Sequence, residues 1–125
     1  MKGLVHKVRI PIYNEVLYVA FDKELAFRFF GFTERQKKEN AFCDGFVFEG
    51  KNHKGHRVLA MYIEKVDGRI NVATTAHECF HIADMLLEIK GMEYKPESGN
   101  EHVAYLIGYL VDKVFDCLAL DEKHS

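Results

Sequence analysis

The chain is poor in the features that cross-link, tether or steer a protein. It has three cysteines, Cys43, Cys79 and Cys117, an odd number with no CxxC pair among them. That argues against a disulfide framework or a cysteine zinc knuckle, and it favours a reducing compartment. No apolar run approaches the roughly 18 residues that a membrane span requires. The opening MKGLVHKVRIPIY carries charge early and has no continuous apolar stretch, so no secretory signal is expected. Neither sign of charge dominates: 17 Lys and Arg face 19 Asp and Glu, for a net charge of −2. No basic excess points to nucleic acid, and no charged run points to a membrane surface. There is no internal repeat, low-complexity segment or linker. The expectation is a cytoplasmic protein with neither nucleic acid nor membrane as partner; the sequence does not reveal its oligomeric state.

What remains is an ordinary globular composition. With 125 residues, 48% hydrophobic and 29% charged, the chain can bury one core without staples, so residues 1–125 read as a single domain. Seven histidines are many for this length. They raise the odds of metal binding and of accidental motifs alike.

The first half reads as strands. Residues 4–12 and 16–21 are apolar and β-branched around Tyr13-Asn14-Glu15, which suits a hairpin turn. Pro11 belongs at a strand end or edge, because it cannot donate to a ladder. Asp22 can cap a short helix, Lys23–Phe30, that stops at Gly31. The polar stretch 32–41 fits a loop or a helical turn. Residues 45–49 and 57–64 read as a second strand pair, followed by a turn at Val66-Asp67-Gly68. The second half reads as two long helices. One starts at Val72 or Thr75 and ends at Lys90 before Gly91. The other runs from about Gly99 to Leu120, with Ser98 as its cap and Pro96 in the connection. Strands and a short helix followed by two helices predict an α+β fold: a small antiparallel or mixed sheet packed on the two C-terminal helices.

Residues 77–81 are His-Glu-Cys-Phe-His, an HExxH motif on the first long helix. Positions i and i+4 lie about 40° apart around a helix and one turn apart along it. His77 and His81 can therefore reach one metal ion, and Glu78 beside them can take a proton from a water molecule. On a helical wheel, Ala73, Ala76, Phe80, Ala83 and Leu87 form one apolar stripe, and Cys79, Ile82 and Leu86 a second nearly opposite. Such a helix is expected to be buried, leaving His77, His81, Asp84 and Glu88 as a narrow polar stripe in need of partners.

A catalytic metal site needs a third protein ligand and an open position. The best candidate is Glu101 in the first turn of the next helix, with Asp84 as the alternative. Gly108 shares the Glu101 face and would permit close helix approach. Tyr105, on that face too, could donate its hydroxyl to an oxyanion, and Asp112 could accept a histidine N–H. Zinc suits two histidines and a glutamate with one position open. Plainer roles stand beside these. Thr75-Ala76-His77-Glu78 and Ser98-Gly99-Asn100-Glu101 are both capping boxes, in which each glutamate would serve only a helix end. Tyr105 suits a core or interface as well as a catalytic role. Cys79 lies on the helix side away from the histidines and reads as core. His53, His56 and His102 read as solvated.

HExxH followed on the next helix by Asn100-Glu101 resembles the gluzincin branch of zinc metallopeptidases. Ala76 to His81, with Asn100-Glu101-His102-Val103-Ala104-Tyr105-Leu106, is similar to short zincin-like proteins of phages and prophages. The resemblance covers residues 72–112 well and the strands only in outline. It implies a minimal zincin fold, His77, His81 and Glu101 as zinc ligands, and Glu78 as general base. It also implies a peptide or protein substrate laid along an exposed sheet edge, with 57–64 as the candidate, in a bacterial or phage-infected cell. The chain departs from the thermolysin-like pattern, in which Ser-Asp follows the glutamate ligand three residues on; Ala104-Tyr105 stand there. Asp84 and Asp112 are the candidates to replace that histidine-orienting aspartate. The rival expectation is a catalytically silent phage protein of zincin fold, with a structural zinc and a protein-binding surface.

Overall fold

A computed structural model describes residues 4–11, 13–51, 54–91 and 101–123, with Glu101 described by its backbone alone. The architecture is mixed α+β. Strands β1 (Val5–Ile10) and β2 (Glu15–Ala20) form the expected hairpin, paired from Val5↔Ala20 to Ile10↔Glu15. Asn14 turns the chain at φ 50, a backbone region that asparagine tolerates better than most residues. Helix α1 (Lys23–Phe29) starts where the Asp22 carboxylate accepts from the Leu25 amide at 2.8 Å. The polar stretch that follows contains a helix, α2 (Glu34–Glu39), closed by a reciprocal capping box between Thr33 and Gln36.

Strands β3 (Gly45–Lys51) and β4 (Arg57–Ile63) pair antiparallel, while β4 pairs parallel with β2. The sheet order is therefore β1-β2-β4-β3. This corrects the expectation that 57–64 is the exposed edge: β4 is interior, and the edge is β3. The reason is visible in composition. From Val58 to Ile63 the run is apolar without a break, which is what a strand covered on both faces needs. The anticipated turn at Val66–Gly68 closes a small hairpin of β5 (Lys65–Val66) and β6 (Arg69–Ile70), with Asp67 and Gly68 at φ 53 and 74.

The long helices are α3 (Val72–Ile89) and α4 (Glu101–Glu122). The expected cap at Ser98 lies outside the described residues. One sheet face presents Val8, Ile10, Leu17, Val19, Leu59, Met61 and Ile63 to Cys79, Ile82 and Leu86 of α3 and to Leu106, Leu110 and Val114 of α4. Each large aliphatic chain fully buried there contributes about 2 kcal/mol. On the other face, among the described residues, α1 covers one end, bringing Ala26 and Phe30 against Ala20, Tyr62 and Phe46. Among the described residues no helix is long and apolar enough to cross a membrane.

A polar latch joins the two ends of this fold. Asp121 is 2% exposed, yet its carboxylate accepts from the Leu4 amide at 3.0 Å, from His6 Nε2 at 2.8 Å and from the Lys65 ammonium. Burial alone would raise this carboxyl; the hydrogen bonds from Lys65, Leu4 and His6 outweigh it and hold the group below its ordinary value. Breaking such a buried set by Asp121→Asn should cost about 3 kcal/mol at neutral pH, read by urea unfolding. Because the folded carboxyl is depressed, the wild-type advantage is complete above the unfolded value near 3.9 and fades as pH falls through the lower folded value. Unfolding curves of the two proteins should therefore converge in acid; a gap unchanged from pH 7 to about pH 2 would contradict the latch.

Candidate metal centre

The start of α3 decides what Glu78 is for. Asn71, not Thr75, is the cap: its side-chain oxygen accepts from the Thr74 amide at 2.9 Å, and the Thr75 hydroxyl donates back to the Asn71 carbonyl at 2.8 Å. The helix begins a turn earlier than the capping-box reading of Glu78 requires, so that glutamate is not spent on the helix end. The equivalent reading of Glu101 depends on Ser98, outside the described residues.

Which residues of α3 face inward is set by packing. Thr75, Glu78, Cys79, Ile82, Ala83, Leu86 and Leu87 are buried. The second apolar stripe is thus fully used. The first is used only in its second half, because Ala73, Ala76 and Phe80 are exposed, Phe80 by 44%. This is a correction to the helix buried on both sides: its first turns have one open flank. His77 is exposed there and His81 half-buried. Their Nε2 atoms are 3.1 Å apart, and their rings meet nearly edge to face with centroids 4.6 Å apart. One ligand atom each from His77, Glu78 and His81 lie within 4.8 Å of one another. This group could hold a metal ion.

Glu78 is 7% exposed and faces the edge strand. A Cβ at Gly45 would lie 2.9 Å from Glu78 Oε2 and 3.0 Å from Thr74 Cγ2. Glycine in a strand marks close approach, and here it lets β3 sit directly against the motif. The preceding Asp44 accepts from the Thr74 hydroxyl at 3.3 Å, which ties the start of β3 to the start of α3. Burial raises the Glu78 carboxyl above its ordinary value; His77 and His81 pull it down, and Asp44 pushes it up. Asp44, Gly45 and Thr74 were not anticipated as site residues. The one signal in the sequence was a glycine opening an otherwise aromatic strand, Gly45-Phe46-Val47-Phe48.

The remaining candidates fall elsewhere. Glu101 is the first residue of α4, and its carboxylate is outside the described side chains. Its neighbours His102 and Tyr105 line a cleft of about 560 Å³ with Ile10, Tyr13 and Tyr109. That cleft adjoins the end of the sheet where Lys90, closing α3, pairs with Glu15 at 3.1 Å. His81 is nine residues, about 14 Å of helix, from Lys90. Tyr105 is 74% exposed, and none of the three grouped side chains lines its cleft. The expected close approach at Gly108 is also corrected: among the described residues nothing lies within 4 Å of a Cβ there. The buried face of α4 instead carries Leu106, Leu110 and Val114, which join the common core with the sheet and α3. Asp84 and Asp112 are exposed. Cys79 is buried, as expected, and burial pushes its thiol up to about 12, which rules it out as a nucleophile near neutral pH.

No family model matches the chain, and no curated protein or solved structure matches it.

The fit of β3 against α3 can be measured. Gly45→Ala should destabilise the protein by about 1–3 kcal/mol through overpacking. In a Glu78→Ala background, where Oε2 and Cγ are gone, the cost should fall to the part set by Thr74 Cγ2. Equal costs in both backgrounds, measured by denaturant unfolding, would mean that Glu78 does not set the spacing.

Proposed function

We propose that this chain is a zinc-dependent hydrolase of peptide bonds, in which His77, His81 and Glu101 hold the metal and Glu78 is the general base. The observation that carries the reading is the convergence of the two imidazoles and the Glu78 carboxylate on one stretch of α3 beside an edge strand. The donor chemistry fits zinc: two neutral imidazoles and one carboxylate leave a tetrahedral position open. Zinc bound there supplies Lewis acidity toward a carbonyl and acidifies water.

The chain's own residues do the rest. Glu78 is shielded from bulk solvent between the helix and β3, where burial brings its carboxyl closer to the working pH of a base. It takes a proton from water and returns it to the leaving amine. On the side away from β4, β3 pairs with no strand among the described residues, so an extended peptide can add to the sheet there. Gly45 keeps that edge clear of side-chain bulk beside Glu78. Glu101 can serve only with the first turn of α4 leaning along α3 toward His81. Tyr105 is given no part in this mechanism, because the residue lines the separate cleft, which none of the three grouped side chains lines.

A second reading rests on Glu78 itself being within ligand distance of the histidines. Glu78 would then be the third ligand of a structural zinc, and the chain a catalytically silent protein whose surface binds a partner.

Two variants separate these readings. Under the hydrolase reading, Glu78→Gln retains about one zinc per chain by elemental analysis but cuts unfolded protein substrates at least about 100-fold more slowly. Glu101→Gln should weaken zinc binding. Under the structural reading, Glu78→Gln loses zinc, Glu101→Gln keeps it, and no substrate is cut. Absence of zinc from wild type, even after metal is supplied, would remove both.

A further inference from the structure

The sheet face away from α3 and α4 is only half covered. Beyond the end packed by α1 lies an open groove of about 710 Å³. Its floor includes one register row: Lys7 opposite Tyr18, Tyr18 opposite Ala60, and Ala60 opposite Phe48. Paired residues share a face, so this row spans all four strands, about 14 Å across. The small Ala60 separates two rings, and Gly50, two residues after Phe48 on the same face, adds no side chain. Phe29 of α1, 52% exposed, stands over the rim with its ring 5.3 Å from Tyr18. Lys7 and Lys51 lie at opposite edges of the groove, and among the described residues no Asp or Glu lines it.

We infer that this groove binds single-stranded nucleic acid, with bases on Tyr18, Phe29 and Phe48 and phosphates at Lys7 and Lys51. The net charge of −2 conceals the arrangement, because the acidic residues lie outside the groove. Charge complementarity selects a polyanion. Flat aromatic rings on an open sheet face favour bases, which stack on such rings irrespective of sequence. A peptide strand would need the sheet edge instead, and here the ladder groups of the floor are already paired. The inference is independent of the metal centre, which lies against the opposite face.

Fluorescence anisotropy with a labelled oligothymidylate of about 12 nucleotides, a length in the range that one small single-strand-binding fold covers, is the direct test. The full chain should bind it saturably, and more weakly as salt rises. In Lys7→Gln/Lys51→Gln, the slope of log affinity against log salt should fall by about 1.4, two lost phosphate contacts at about 0.7 each. Phe29→Leu, which keeps an apolar group on an exposed site, should weaken binding roughly tenfold with an unchanged melting temperature. The proposal is overturned by any of three results: no saturable binding at low salt, wild-type affinity in these variants, or equal affinity for polyglutamate of matched charge.

Discussion

The rotation of α3 about its own axis governs everything the site can do. Cys79, Ile82 and Leu86, each wholly buried, are pressed against the sheet. Once they are fixed, helical geometry leaves no freedom in where the motif points. The histidines emerge on the open flank, and the glutamate between them turns toward β3. A helix rotated by one residue would either bury both histidines along with the glutamate or expose all three. The apolar packing that stabilises the fold is therefore also what aims the polar groups, and Gly45 allows the aim to hold by giving way where a side chain would collide.

The sheet is arranged around the same need. Because β4 is apolar on both faces it must lie inside, and β3, with Glu49 and Lys51 exposed, is left as the boundary. Charged residues on an unpaired edge discourage pairing between copies. The edge beside Glu78 is in this way available to an extended chain and yet poorly suited to self-association.

Much of this was legible in the sequence, where local chemistry decides. Asp22, Gly31 and Gly91 end or begin helices where their conformational preferences say they should, with Gly31 and Gly91 both at φ +68. HExxH placed His77, Glu78 and His81 together because helix periodicity is rigid. What failed to show depends on long-range pairing. The unbroken apolar run of β4 marks it as interior, but that its second neighbour is β2, paired in parallel, follows only from long-range pairing. Phe80 belongs by period to an apolar stripe, but among the described residues no element covers it. His6 carries no local signal of its role, because its partner Asp121 lies 115 positions away. The position of Glu101 relative to His81 depends on the connection between the helices, which a helical wheel does not contain.

The latch at Asp121 has a consequence for how this unit can be wired to anything else. Leu4 and Asp121 are hydrogen-bonded neighbours, so the path of the backbone is nearly a closed ring. Polypeptide joined ahead of Leu4 and polypeptide joined after Asp121 would depart from one corner, beside β1. That strand is the sheet boundary opposite β3, three strand spacings or about 14 Å from it. The unit is thus shaped to be spliced into a host chain at a single point, or reopened at the Gly55 turn between β3 and β4 with the old ends fused. In either case the β3 edge would face away from the seam.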